Sequence, residues 1–223
     1  MEIKVIENFQ SFQGEGPDSG TRQLILRFKV CNRVRDGHGC QFCDTKLKMR
    51  ISNEMTVSLK EIQKVVSNNK TGILCTGGEP TSEENIESTI KLINKIDCNL
   101  WNIETNGYQL IKLIEQVDVS KNVKYILSPK IFSEEDYNFY TELIPKIQNN
   151  KNIFIKLVYE ERELVIRFLD YLNNIDFNNQ RIFLMPEGVS REQILKNSPK
   201  VFDAAEKYKV NFSSRDHIIY GFV

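Results

Sequence analysis

Residues 24–43 read LILRFKVCNRVRDGHGCQFC, an apolar run followed at once by a loop rich in cysteine, glycine and charge. The run Leu24–Val30 has the length and composition of a buried β-strand. The loop places three thiols, Cys31, Cys40 and Cys43, within thirteen residues, and the last two have the C-x2-C spacing that can grip one metal centre. A strand that ends in a ligand loop is therefore the unit to look for in the rest of the chain.

Further strands recur along the chain, and amphipathic segments separate them. The predicted strands are Leu24–Val30, Ile73–Cys75, Leu100–Ile103, Val123–Leu127, Ile153–Val158 and Arg181–Met185. Apolar residues with a 3.6-residue period predict helices over residues 59–66, 86–96, 110–117, 137–147 and 164–172. Pro145 is expected to kink or end the fourth helix, and Ser133 with Asp136 predicts a capping box at its start. Such alternation predicts a parallel sheet wrapped by helices.

Polar or glycine-rich motifs follow most of the strands. They are the cysteine loop, TGGEP at 76–80, ETNG at 104–107, SPK at 128–130 and PEG at 186–188. Ligand sites of parallel α/β folds gather at the carboxyl ends of strands, so these motifs favour a barrel with one mouth over an open sheet. We therefore predict one domain over residues 1–223, an α/β chain forming a partial (β/α)6 TIM-like barrel.

Composition excludes several classes of protein. Hydrophobic residues make up 40% and charged residues 27% of 223, as in an ordinary globular chain, and the formal net charge is zero. A zero balance argues against nucleic acid as a partner of the whole surface. No apolar run reaches the ~20 residues that span a bilayer, and the N-terminus MEIKVIENFQ lacks a signal-peptide pattern. We therefore expect no membrane association and a cytoplasmic protein with reduced thiols.

The cysteine loop admits more than one metal. Three thiolates on a four-iron cluster leave one iron open for a small chelating ligand. Alternatively, Cys31, Cys40, Cys43 and His38 form a Cys3His set for zinc. Ordinary cysteines are the third possibility, although a polar loop is an unusual place for three of them. Cys75 and Cys98 lie in or near apolar strands, and we expect both in the core.

The motifs in this order resemble the radical S-adenosylmethionine (SAM) superfamily, and within it the 7-carboxy-7-deazaguanine synthases. The resemblance rests on the cysteine loop followed by Gly77-Gly78-Glu79-Pro80, and it spans nearly the whole chain. The other segments that carry it are FQGEG at 12–16, FCDT at 42–45, ETNG at 104–107, SPK at 128–130 and SSRDH at 213–217.

The resemblance implies a fold, a set of cofactors and a reaction. The fold is a partial (β/α)6 barrel of the radical SAM type, as a homodimer. The cofactors are a [4Fe-4S] cluster, SAM and Mg2+, with a flavodoxin-like protein as electron donor. The reduced cluster cleaves SAM to a 5′-deoxyadenosyl radical, which takes a hydrogen from C6 of 6-carboxy-5,6,7,8-tetrahydropterin. The small pterin contracts, loses ammonia and becomes 7-carboxy-7-deazaguanine.

The resemblance also implies roles for individual residues. Cys31, Cys40 and Cys43 hold the cluster, and Thr45 binds Mg2+. The SAM contacts are Phe42, Gly78, Glu104, Ser128, Pro129, Lys130, Met185, Pro186, Glu187 and Gly188. The substrate contacts are Phe12, Gln13, Gly14, Glu15, Arg27, Thr76 and the terminal carboxylate of Val223. Gly77 and Gly78 lack a Cβ, which allows the backbone to approach SAM closely. Arg27 supplies a guanidinium for the substrate carboxylate, a pairing that suits bidentate geometry.

Two other functions fit part of the sequence. A radical SAM activase that makes a glycyl radical on a partner protein shares the cysteine loop, but leaves Phe12–Gly16 and Arg27 without a role. A zinc-stabilised binding module uses the Cys3His set instead. Iron and sulfide analysis of anaerobically purified protein separates the cluster from zinc.

Overall fold

The computed structural model describes residues 2–40, 43 and 45–222. Phe42 and Val223, two of the predicted contact residues, lie outside the described residues. The chain divides into two compact units, the first made of residues 1–13 with 20–125 and the second of residues 14–19 with 126–223. The expectation of a single domain stays a prediction.

The first unit carries a mixed sheet. Its elements are β1 (Glu2–Val5), β2 (Glu7–Phe12), β3 (Arg22–Phe28), α1 (Asn32–Arg35), α2 (Lys46–Ile51), β4 (Met55–Ser58), α3 (Leu59–Asn69), β5 (Gly72–Gly77), α4 (Ile86–Lys95), β6 (Trp101–Thr105) and α5 (Leu110–Gln116). Strand β3 pairs in parallel with β5, which pairs in parallel with β6, and β2 lies antiparallel to β3. Strands β1 and β4 form a separate antiparallel pair. The unit boundary falls within β7 (Val123–Leu127).

The second unit alternates helices and parallel strands. Its elements are α6 (Glu134–Ile147), β8 (Ile153–Tyr159), α7 (Glu163–Asn174), β9 (Ile182–Pro186), α8 (Arg191–Tyr208), β10 (Asn211–Phe212) and α9 (Asp216–Tyr220), with short 3-10 turns at Gly16–Asp18 and Asn179–Arg181. Strand β9 pairs in parallel with both β8 and β10.

Local sequence explains why these elements form. Strand β3 is apolar on both faces, since Leu24, Ile25 and Leu26 are all buried, as expected for a central strand covered by helices. Helix α3 begins with a complete capping box, in which Ser58 and Glu61 exchange side-chain and backbone hydrogen bonds. Each unit thus builds its core from apolar strand runs and the apolar stripe of its helices.

The predicted strands and helices are present, with shifted ends. Strand β3 ends at Phe28 and not at Val30, because the chain beyond Phe28 turns toward the cysteine loop. Helix α6 runs through Pro145 to Ile147, so the proline does not end it. The predicted capping box is half present: Ser133 accepts from the Asp136 N–H, but the Asp136 carboxylate accepts from the N–H of Phe132.

Cys75 and Cys98 are core residues, as predicted. Cys75 is fully buried in β5, and Cys98 is buried three residues before β6. Burial raises the pKa of both thiols. Both therefore act as small apolar side chains.

No helix in the described part of the chain combines the length and the hydropathy that crossing a bilayer requires.

Candidate functional site

The cysteine loop of the first unit leaves the carboxyl end of β3. Cys31 stands at the start of α1, and Cys31, Cys40 and Cys43 are half-buried and outside any disulfide. Burial raises the pKa of Cys31, and the charges of Glu79 and Cys40 act in the same direction. Within residues 2–40, 43 and 45–222, no three His, Cys, Asp or Glu side chains are grouped as the ligands of one metal ion. His38, the fourth ligand of the zinc hypothesis, is exposed.

The Gly77–Pro80 segment lies directly beside the start of this loop. The Gly78 N–H donates to the Phe28 carbonyl at 2.8 Å, and the Glu79 N–H donates to the Val30 carbonyl at 2.7 Å. A Cβ at Gly78 would overlap the Val30 carbonyl, and one at Gly77 would overlap the side-chain stem of Arg27. The sequence predicts that these glycines make room for SAM. In the structure, the space that a Cβ would need is already taken by the Val30 carbonyl and the Arg27 side chain.

Three predicted contact residues from separate segments meet at one carboxylate. Glu104, at the end of β6, accepts a hydrogen bond from the Thr76 hydroxyl at 2.7 Å and a longer one from the Gln13 amide at 3.4 Å. Thr76 is the register partner of Arg27 across β3 and β5, so the two side chains lie on the same face. The carboxyl ends of β3, β5 and β6 therefore lie close to four predicted contact residues, Gln13, Arg27, Thr76 and Glu104.

Arg27 is held in a network of charges. Its Nε donates to Glu7 at 2.5 Å, and its Nη1 donates to the Thr45 hydroxyl at 3.2 Å. Lys48 pairs with the other oxygen of Glu7 at 2.8 Å. Although burial would raise the pKa of Glu7, the hydrogen bonds and charges of Lys48 and Arg27 hold it below its ordinary value. Arg27, the predicted partner of the substrate carboxylate, therefore lies beside Thr45, the predicted Mg2+ ligand, and its side chain is largely buried.

A buried ion cluster forms in the second unit around Glu15. One carboxylate oxygen accepts from Lys156 at 2.5 Å, and the other accepts from Arg215 at 2.8 Å. Burial would raise the pKa of Glu15, but Lys156, Arg215 and His217 hold it well below its ordinary value. The carboxylate that we predicted to meet the substrate is thus engaged by two cations of its own unit.

The same cluster fixes residues 14–19. The Gly14 carbonyl accepts from the Asp216 N–H at 2.9 Å, and the Gly16 N–H donates to the Ser213 hydroxyl at 2.7 Å. A Cβ at Gly14 would overlap the His217 ring, so this position requires glycine for packing. His217 therefore has a packing role beside Gly14.

The remaining predicted SAM contacts are placed as follows. Ser128 and Pro129 are buried after β7, and Lys130 donates to the Ser128 hydroxyl at 2.7 Å. Met185 and Pro186 are buried at the end of β9, Glu187 is half-buried, and the Gly188 carbonyl accepts from Arg215. Phe12, at the end of β2, keeps half of its surface exposed.

Sequence reasoning missed Glu7, Lys48 and Lys156. Glu7 is the register partner of Arg27 across β2 and β3, which becomes visible only once β2 is recognised as a strand. Lys156 could have been found from the sequence, because a lysine inside the apolar strand IFIKLVY is unusual unless a carboxylate pairs with it.

Relatives that share one name align with 71% to 97% of the chain. A 7-carboxy-7-deazaguanine synthase from Hyperthermus butylicus is 22% identical over 224 residues, covering 97% of this chain and 92% of the relative. One from Haemophilus influenzae is 30% identical over 161 residues, covering 71% and 70%. A scan against protein-family models finds no match.

Two solved structures show the fold. QueE from Escherichia coli matches with a TM-score of 0.59 at 19% identity, covering 97% of this chain and 95% of that one. SuiB from Streptococcus suis, solved bound to S-adenosylmethionine, matches with a TM-score of 0.58 at 16% identity, covering 85% and 49%.

The likeness to both solved structures confirms the predicted α/β fold class. Three cysteines at a strand end beside a Gly-Gly-Glu-Pro segment, in a chain whose relatives are 7-carboxy-7-deazaguanine synthases, define a radical SAM enzyme. Within that class, the chain belongs to the 7-carboxy-7-deazaguanine synthase family, as its 30% identity across 70% of the Haemophilus relative shows. Membership of this family decides against both the glycyl-radical activase and the zinc-stabilised module.

Proposed function

We propose that this chain converts 6-carboxy-5,6,7,8-tetrahydropterin to 7-carboxy-7-deazaguanine, with release of ammonia, as a radical SAM lyase. One observation carries the proposal. A chain of this synthase family places Arg27, Thr76 and Glu104 on adjacent strand ends, directly beside the cysteine loop. A cation for a carboxylate, together with acceptors for an amine-bearing ring edge, is the polar equipment that a carboxypterin requires.

The donor set fits a four-iron cluster. Cys31, Cys40 and Cys43 are half-buried thiols on one loop and outside any disulfide, whereas Cys75 and Cys98 are buried in the core. Three thiolates leave one iron open, and when bound there the cluster and SAM supply the carbon-centred radical that starts the reaction. We infer that the loop folds so that its three thiols bind the same four-iron cluster.

The proposed SAM contacts follow the carboxyl ends of strands within each unit. In the first unit, Gly78 offers main-chain groups and Glu104 a carboxylate beside the cysteine loop. In the second, Ser128, Pro129 and Lys130 follow β7, and Met185, Pro186, Glu187 and Gly188 follow β9. Phe42 belongs to the same proposed set. The solved SuiB structure bound to SAM supports SAM as the ligand of this fold.

The substrate contacts follow from charge and position. Arg27 receives the pterin carboxylate through its Nη groups, because its Nε is directed at Glu7. Gln13 and Thr76, both bonded to Glu104, are the proposed contacts of the ring edge, and Phe12 offers an exposed ring for stacking. In the second unit, the ion pairs of Glu15 with Lys156 and Arg215 hold the segment that carries Gly14.

Mg2+ requires oxygen ligands, and Thr45 provides one. Its hydroxyl is buried next to Arg27, so a carboxylate bound by Arg27 lies within reach of a cation on Thr45. The substrate carboxylate and water complete the shell, as magnesium sites with few protein ligands require.

The assembly and the compartment follow from the same family relation. We propose a homodimer that receives its electron from a flavodoxin-like protein. The cytoplasm is the proposed compartment, because the loop thiols must stay reduced to hold iron.

The function is tested by anaerobic turnover. Full-length protein, reconstituted with iron and sulfide, is mixed with the carboxypterin, SAM, Mg2+ and a reductant, and the products are read by mass spectrometry. We expect 7-carboxy-7-deazaguanine from the wild type and from Cys98→Ala, which changes a core cysteine, and none from Cys40→Ala. Product from Cys40→Ala, or cleavage of SAM without product in the wild type, would contradict the proposal.

A further inference from the structure

Glu79 is a buried carboxylate in the segment beside the cysteine loop. Its exposed fraction is only 3%, and four donors reach its two oxygens. Oε1 accepts from the Thr81 N–H at 2.9 Å, the Thr81 hydroxyl at 2.6 Å and the Thr105 hydroxyl at 2.7 Å. Oε2 accepts from the Asn106 N–H at 2.7 Å. Burial raises the pKa of Glu79, and the hydrogen bonds from Thr81, Thr105 and Asn106 oppose that shift. A buried carboxyl group is costly unless it is hydrogen-bonded in this way.

The main chain of Glu79 holds the residue that precedes Cys31. Its N–H donates to the Val30 carbonyl at 2.7 Å. The Asn85 amide bridges the same two residues, donating to the Glu79 carbonyl at 2.9 Å and to the Val30 carbonyl at 3.3 Å. Val30 is thereby fixed against the Gly77–Pro80 segment.

The side chain of Glu79 holds the residue that follows Cys31, through one intermediate. Oε2 fixes the backbone N–H of Asn106, and the Asn106 amide donates to the Asn32 side chain at 2.7 Å. Asn32 is the first residue of α1, directly after Cys31. Both neighbours of Cys31 in the chain are therefore held by contacts that pass through Glu79.

We infer that Glu79 is a positioning residue for Cys31, presenting this thiol to the iron in one orientation while the other two thiols sit further along the loop. The inference rests on the proposed function, since it takes Cys31 as a cluster ligand. An acceptor-only side chain is required at this position. Glutamine of the same size would turn an NH2 group toward one of the four donors and break that contact.

The test compares cysteine reactivity in the full-length, reduced protein. The variants are Glu79→Gln, which breaks the network at its centre, and Asn32→Ala, which removes only the last contact. Glu61→Gln is the matched control, because Glu61 also accepts from a backbone N–H and a hydroxyl, but in the cap of α3. Alkylation of each cysteine is followed by peptide mass spectrometry, and iron loss to a chelator is followed in the reconstituted protein.

We expect Cys31 to react on the order of fivefold faster relative to Cys43 in Glu79→Gln and in Asn32→Ala, as local order is lost. Both variants should also lose iron several-fold faster than the wild type, and Glu61→Gln should match the wild type. An unchanged Cys31-to-Cys43 ratio in both variants overturns the inference, and so does an equal acceleration at all the cysteines. If Glu79→Gln fails to fold, Asn32→Ala decides alone.

The same experiment separates this inference from the proposed function. Wild-type protein that takes up no iron contradicts the proposed function. The alkylation ratios need no iron, so they still show whether Glu79 orders Cys31.

Discussion

Arg27 shows how one side chain is prepared for a ligand by its neighbours. Glu7 takes the Nε edge of the guanidinium, and Lys48 shares the charge of Glu7. The Nη groups are thereby turned toward Thr45 and the end of the strand. Glu7 therefore orients Arg27, and Lys48 limits the negative charge that a substrate carboxylate meets.

Replacing Glu7 should therefore weaken substrate binding selectively. A hydrogen bond to a charged group contributes about 1.5 to 3 kcal/mol, so Glu7→Ala should raise KM for the carboxypterin on the order of tenfold. The KM for SAM should change little, because Glu7 contacts Arg27 and Lys48, and neither is a proposed SAM contact. Steady-state kinetics with each substrate varied in turn measure both values. Glu87→Gln, which alters a surface ion pair with Lys112, is the control, and an equal rise in both KM values would refute the role.

Glu15 makes stability depend on pH. Its pKa in the folded protein lies well below the unfolded value of about 4.3, so its ion pairs contribute fully above that value. The contribution is lost as the pH falls through the folded pKa. Glu15→Gln should lower the free energy of unfolding by about 3 to 5 kcal/mol at pH 7, since it leaves Lys156 and Arg215 buried without their carboxylate.

Urea unfolding at pH 7, 5, 4 and 3 measures this effect. The gap in unfolding free energy between wild type and Glu15→Gln should be the same at pH 7 and 5, and should narrow below the unfolded pKa of about 4.3, because the unfolded carboxyl then binds a proton before the folded one does. A gap as large at pH 3 as at pH 7 would show that the ion cluster is not the source of the stabilisation.

These two networks also show what the sequence leaves open. Arg27 was predicted from a family resemblance, but Glu7 and Lys48 approach it only through the pairing of β2 with β3 and the placement of α2. Such contacts join residues twenty or more positions apart, as the separations of 20 and 41 show. No local pattern encodes them.

Among the strands and helices, the ones that the sequence predicted are those with strong apolar patterns. Strands β3 and β5 to β9 and helices α3 to α7 fall where periodicity places them. Strand β2 was missed because its residues alternate between exposed and half-buried, and an edge strand needs no apolar run. Helix α8 was missed because its buried face includes Ser198 and two alanines, so it lacks a run of large apolar side chains, and Pro199 interrupts the helical pattern.

Gly78 and Val30 follow the ends of β5 and β3, and their backbones lie in close contact. Any side chain at Gly78 should therefore lower the stability of the protein. A methyl group there would overlap the Val30 carbonyl, which is backbone and cannot swing aside. Gly78→Ala should therefore destabilise the protein by about 1 to 3 kcal/mol. The midpoint of chemical unfolding measures the loss.

Gly39→Ala is the matched control for this substitution. Its methyl group would meet mainly the Val34 side chain, which can move, so we expect a smaller change. If the two variants are equally stable, the contact between Gly78 and Val30 is looser than the structure indicates.

Over the whole chain, the order of motifs carried more information than any one of them. A Gly-Gly pair or a single C-x2-C spacing is common in proteins. The two motifs together, each placed after one of two successive predicted strands, indicated the class of enzyme from the sequence. The sequence did not reveal how the loop thiols are arranged, because Cys31 is positioned by Glu79 and Asn106, residues far along the chain. The division into two compact units was also not predicted.

The central claim is that Cys31, Cys40 and Cys43 hold a cluster with one open iron. Iron and acid-labile sulfide in anaerobically reconstituted full-length protein test it most directly. We expect a brown protein with about four irons and four sulfides per chain, and an absorption spectrum that changes when SAM is added. Colourless protein that binds one zinc and no iron would contradict it.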